Sequence, residues 1–133
     1  MNIERIEGIG ASYAKQLRKA GVRTTNSLLK KGADRRGRQE LAMQSGISEK
    51  LILEWVNLAD LFRIKGVGEE YSDLLEEAGV DTVKELRNRD ARNLHQALLD
   101  TNAKKRLVRR PPSLSMVQSW VQQAKKLPPV VSY

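Results

Sequence analysis

Apolar residues recur at helical spacing along almost the whole chain, and no stretch shows the strict alternation that a half-buried strand requires. Tyr13, Ala14 and Leu17 form a core stripe that predicts a helix from Ala11 to Ala20, with Gly21 as its C-cap. Thr24 or Thr25 then caps a short helix containing Leu28 and Leu29. Gly32 to Arg38 reads as an arginine-bearing loop, followed by a short helix from Gln39 to Gln44 that stops near Gly46. Ser48 caps a longer helix on which Leu51, Ile52, Trp55, Val56, Ala59 and Phe62 make one broad apolar face. Farther on, Thr82 caps a short helix with Leu86, Ala91 to Leu99 forms another, and Thr101 to Pro112 reads as a long connection. Ser113 opens the last helix, with Ser115 and Gln118 as an alternative capping box, and Pro128-Pro129 ends it. An extended tail is expected over 128–133, and the chain as a whole is expected to be all-α.

These stripes repeat. Shifting the sequence by 58 places lays Arg5-Ile6, Gly8, Gly10, Tyr13, Leu17, Ala20-Gly21-Val22 and Thr24 onto Arg63-Ile64, Gly66, Gly68, Tyr71, Leu75, Ala78-Gly79-Val80 and Thr82. Ile9 falls on Val67, and Leu28 on Leu86. Past the long connection the shift becomes 65, and Ser113, Met116, Val117, Trp120, Val121 and Ala124 match Ser48, Leu51, Ile52, Trp55, Val56 and Ala59. A repeat of about 60 residues is too small to bury its apolar faces alone, so two copies, 1–62 and 63–127, are expected to pack as one pseudo-twofold helical unit.

Each repeat opens on a Gly-x-Gly turn feeding a helix. Two glycines around one apolar residue allow positive φ and a close backbone approach to a ligand. The helix that follows offers unpaired N–H groups and the positive end of its dipole, so the turn and the first helical residues make an anion seat. Ile9 and Val67 are expected to point inward and pin the turns. Gly-Ile-Gly or Gly-Val-Gly, followed by an apolar-periodic helix ending Ala-Gly-Val, resembles the helix-hairpin-helix motif, whose hairpin grips the DNA backbone without reading sequence. Almost the whole chain, tail included, is similar to a bacterial family of tandem helix-hairpin-helix proteins catalogued as a domain of unknown function, within the helix-hairpin-helix DNA-binding superfamily. The resemblance implies the fold and no established biochemistry. In related proteins tandem hairpins straddle the minor groove of duplex DNA, which favours duplex as the ligand, and such hairpins can hold a monovalent cation through their carbonyls.

Charge sharpens the choice between the two turns. The chain of 133 residues carries a formal charge of +8, but 1–33 and 87–133 are basic while 62–86 hold 3 basic and 7 acidic residues. After Gly10 come Ala11 and Ser12, which leave the helix start open, and Lys15, Arg18, Lys19 and Arg23 add positive charge. After Gly68 come Glu69 and Glu70, then Asp73, Glu76, Glu77 and Asp81, which satisfy the dipole themselves and repel phosphate. The first turn, Gly8, Ile9, Gly10, Ala11 and Ser12 with Lys15 and Arg18, is therefore the better phosphate seat; Gly66, Val67 and Gly68 read as a weaker or structural one. The plainer reading of Lys15, Arg18 and Lys19 is a solvated helix face.

The densest charge is Lys104, Lys105, Arg106, Arg109 and Arg110, five cations in seven places, which can neutralise several phosphates and bind with steep salt dependence. Leu107 and Val108 are expected to tether this segment to the core. Arg35, Arg36 and Arg38 in the other repeat could extend the patch. A solubilising loop is the plainer alternative. Trp55, Trp120, Tyr13 and Tyr71 occupy repeat-equivalent places and read as core, and His95, the only histidine, reads as a surface or boundary residue.

Catalysis finds no support. The chain has no cysteine, no recognisable nucleophile beside His95, no metal-ligand spacing and no nucleotide loop ending in Lys-Ser or Lys-Thr, so no enzyme activity, cofactor or metal is expected. No apolar run approaches a membrane span and the N-terminus lacks a signal-peptide core, so a cytoplasmic protein is expected. The leading expectation is sequence-independent binding to a nucleic-acid backbone. The alternative is a protein-interaction adaptor whose acidic helix over 69–77 meets a basic partner.

Overall fold

The computed structural model describes residues 1–133 and contains helices and no strand. A short 3-10 helix, Ile3–Arg5, precedes eight α-helices: α1 Ala11–Lys19, α2 Thr25–Gly32, α3 Arg35–Ser45, α4 Glu49–Leu61, α5 Glu69–Glu77, α6 Val83–Leu86, α7 Ala91–Lys105 and α8 Leu114–Lys126. None is long and apolar enough to cross a membrane. The chain divides into two compact units, residues 1–60 with 130–133, and residues 61–129. The boundary falls inside α4, whose residues from Trp55 to Leu61 are all buried.

Local rules set the helix ends in the same order in both units. Thr24 accepts from Ser27 N at 3.1 Å and Thr82 from Glu85 N at 3.3 Å, each satisfying a donor of the first turn. Asp34 and Asp90 cap α3 and α7, and Ser48 and Ser113 cap α4 and α8. The C-terminus of α1 closes with Gly21 N donating to Arg18 O and Val22 N to Leu17 O; α5 repeats this with Gly79 and Val80. Both glycines take the positive φ that such a close needs.

In unit 1 the buried apolar set includes Ile3, Ile6, Ile9, Leu17, Val22, Leu28, Leu41, Ile52 and Trp55. The core of unit 2 gathers Ile64, Val67, Leu74, Leu75, Val80, Leu94, Leu98, Val117 and Trp120 among others. Tyr13 stacks edge-on against Trp55 with centroids 5.0 Å apart, and Tyr71 lies tilted over Trp120 at 5.2 Å. The two tryptophans are core residues as expected, while Tyr13 stays 37% exposed.

Two expected loops turn out to be helical. The loop expected over 32–38 gives way at Arg35, where α3 begins, because the Asp34 carboxylate accepts from Gly37 N at 2.7 Å. Gly37 is there for contact: a Cβ on it would lie 1.9 Å from Lys31 O. The connection expected over 101–112 is helical as far as Lys105, since no glycine or proline interrupts Asp100 to Lys105. Arg106, in the left-handed region at φ 50°, ends α7. The tail over 128–133 has no regular structure, and its end is held within unit 1, where Val131 is buried and Ser132 N donates to Ala33 O at 2.8 Å.

Candidate nucleic-acid interface

Each Gly-x-Gly segment begins as a hydrogen-bonded turn, Ile9 N to Ile6 O and Val67 N to Ile64 O, both 3.1 Å. Its third residue is Gly8 or Gly66, with φ +92° and +93°, where an L side chain is strained. An indole closes the same space, since Trp55 Nε1 lies 3.4 Å from where a Cβ on Gly8 would sit and Trp120 Nε1 lies 3.2 Å from the Gly66 equivalent. Ile9 and Val67 are buried and anchor the turns, as the alternation of exposed glycine and apolar residue predicts.

Gly10 and Gly68 do something different. They are the N-caps of α1 and α5, in ordinary extended conformations, and a Cβ on either would meet nothing within 4 Å. Side chains cap α2, α3, α4, α6, α7 and α8, whereas α1 and α5 have no side-chain cap. In α1 the first turn, Ala11, Ser12 and Tyr13, is exposed and free of acidic residues, so its donors and the positive dipole end face solvent. In α5 the same place carries Glu69 and Glu70. Among the cations expected at the first seat, Lys15 is exposed on α1, whereas Arg18 is paired with Glu4 at 3.0 Å.

The arginines of α3 separate. Arg35 and Arg36 are exposed on its first turn, Arg36 3.5 Å from Glu40. Lys31 Nζ reaches Ala20 O at 3.1 Å while Lys31 O abuts Gly37, which puts this turn within a lysine's reach of the C-terminal end of α1, away from the Gly8–Gly10 turn. Arg38 does not belong to an interface. It is 4% exposed, and its guanidinium donates to Gly32 O at 2.9 Å, Ala33 O at 3.1 Å and Ser132 O at 2.8 Å. Burial presses its pKa below the ordinary value, with Asp34 opposing, and a guanidinium stays charged throughout. The expected patch member is a clamp on the C-terminal tail.

In unit 2 the basic segment is fixed rather than loose. Lys104 and Lys105 form the last turn of α7, and Lys105 is ion-paired with Glu77 at the end of α5. Asn102, buried on α7, holds Val108 at two points, Nδ2 to Val108 O at 3.1 Å and Val108 N to Oδ1 at 3.0 Å. Tyr71 Oη donates to Arg110 O at 2.9 Å, and His95 Nε2 lies 3.0 Å from Pro112 O. Leu107 and Val108 tether the segment as expected. Lys104, Arg106, Arg109 and Arg110 therefore project from a backbone fastened at both ends, with Arg110 tied to the first turn of α5.

A further group escaped the sequence reading. Lys65 stands on the second turn where the first has Glu7, and its peptide is gripped by Gln123, Lys65 N to Oε1 at 2.8 Å and Nε2 to Lys65 O at 3.1 Å. The substitution was visible in the 58-place repeat, but the acidic run after Gly68 drew the reading the other way.

A family model described as a domain of unknown function, DUF4332, matches residues 7–127. The chain belongs to that family. The match takes in both turns, the acidic α5 and the basic segment. No curated protein and no solved structure matches the chain.

Proposed function

We propose that this DUF4332 protein is a non-enzymatic, sequence-independent binder of nucleic-acid backbone, duplex DNA above all, built from two tandem helix-hairpin-helix units. The observation that carries the reading is the uncapped, acid-free start of α1 behind Gly10, in a chain whose helices away from the Gly-x-Gly turns have side-chain caps. Exposed N–H groups at a helix start suit a phosphate oxygen, and backbone donors recognise phosphate without reading bases. Lys15 adds charge beside the seat, and Lys104, Arg106, Arg109 and Arg110 supply attraction from a preformed segment.

The adaptor reading rests on the carboxylates of α5, and one of these, Glu77, is already engaged by Lys105 within its own unit. Gly10→Val separates the two readings, because a Cβ at this position meets nothing within 4 Å and the φ there is ordinary, so the variant is expected to fold. On a labelled random-sequence duplex followed by fluorescence anisotropy, the variant should lose most of its affinity while its circular dichroism and melting temperature match the parent. A folded variant with unchanged affinity removes the hairpin from the account.

A further inference from the structure

The second unit contains a recess beside its Gly-x-Gly turn. Arg63, Lys65, Gln123, Lys126 and Leu127 line an open hollow of about 300 Å³ at the foot of the second turn. Two of its walls are held in place: the Lys65 peptide by Gln123, and the Arg63 guanidinium by Pro128 O at 2.7 Å. Leu127 packs its inner side on the core and leaves an apolar floor. Lys65 and Lys126 are exposed, and no carboxylate holds either ammonium group.

The repeat gives this arrangement a reference. The places of Lys65, Gln123 and Lys126 are taken in the first copy by Glu7, Leu58 and Leu61. Three cations therefore stand in unit 2 where the first copy has one, Arg5, and a carboxylate, Glu7. A solvated face would show the same charges without the clamp or the apolar floor. Ammonium groups on a fixed rim above a leucine fit an anion that carries a flat or apolar substituent, because the rim neutralises the charge and the floor takes the carbon part.

We infer that this recess is a second anion site, which takes one nucleotide unit, its phosphate between Lys65 and Lys126 and its sugar or base on Leu127. The unit comes either from a strand already held by the protein or from a free nucleotide. The strand source rests on the reading above; the recess itself does not. It also brings the second turn into the account: unit 2 contributes a phosphate contact of its own beside the seat at the start of α1.

The test uses the full chain and the double variant Lys65→Glu with Lys126→Gln, which keeps Gln123 and alters two exposed side chains. Duplex affinity is measured by anisotropy against salt, and amide NMR shifts are followed during titration with thymidine monophosphate. Loss of the phosphate held by the two lysines should weaken duplex binding on the order of 10-fold at moderate salt and flatten the log–log slope by about one. Shifts at Lys65, Gln123 and Leu127 with the nucleotide, absent from the double variant and with duplex affinity unaltered, assign the site to a free nucleotide. A parent that ignores duplex yet shows those shifts retires the nucleic-acid reading and leaves the recess standing. If neither ligand distinguishes parent from variant, the recess is an ordinary charged surface and the inference is overturned.

Discussion

Gly8 and Gly10 are two residues apart and have unrelated jobs. Gly8 is demanded by the fold, through its positive φ and the indole of Trp55, while Gly10 is left bare toward solvent. Gly8→Ala should therefore cost about 1–2 kcal/mol of stability from the backbone conformation alone, and chemical denaturation measures it; a loss as large from Gly10→Ala would contradict the division of labour. Titration offers a second check at Asp81. Burial, and then the neighbouring Glu85, raise its pKa above the ordinary 3.8. The folded state therefore keeps the proton longer than the unfolded chain, and stability falls as pH rises from 3.8 through the folded value. Asp81→Asn should raise the melting temperature at neutral pH, and the gain should vanish once the solution is more acidic than pH 3.8. A gain that persists in acid would mean that charge is not the cause.

Among the helices, caps decide both the architecture and the candidate site. Ser48 and Thr82 announced two helix starts in the sequence itself, since a hydroxyl before an apolar stripe has one obvious use, while the choices of Thr24 over Thr25 and of Ser113 over Ser115 are made by the structure. The start of α3 was hidden because Gly37 looks like a loop residue and is in fact a contact residue, pressed against Lys31 O. The burial of Arg38 was hidden for a similar reason, since nothing in Arg35-Arg36-Gly37-Arg38 tells which arginine turns inward toward Ser132. The length of α7 was misread because the change of shift from 58 to 65 was assigned to a loop, whereas it also extends the helix through Asn102 to Lys105. That extension puts Asn102 where it can grip Val108. Asn102→Ala should cost about 1–3 kcal/mol by orphaning a buried backbone pair, and it should raise amide exchange over 106–110. An unchanged exchange rate there would mean that Asn102 does not order the basic segment.

Taken whole, the chain is a balanced base on which distribution matters. Residues 1–60 with 130–133 carry 11 basic and 7 acidic side chains, and 61–129 carry 13 and 9, so each unit is +4. Net charge alone therefore cannot rank the units as partners for a polyanion. What separates them is placement: an open helix start with Lys15 in one, a fastened basic segment and a cationic recess in the other. Backbone binding of this kind releases counterions, and the number released can be counted. The most direct measurement is the affinity of the parent protein for a random-sequence duplex, by anisotropy, across a series of salt concentrations. Log affinity should fall linearly with log salt, with a slope between about −4 and −6 for the exposed cations named here, and should be insensitive to the sequence of the duplex. Absence of binding at low salt, or an affinity that salt does not move, would contradict the account.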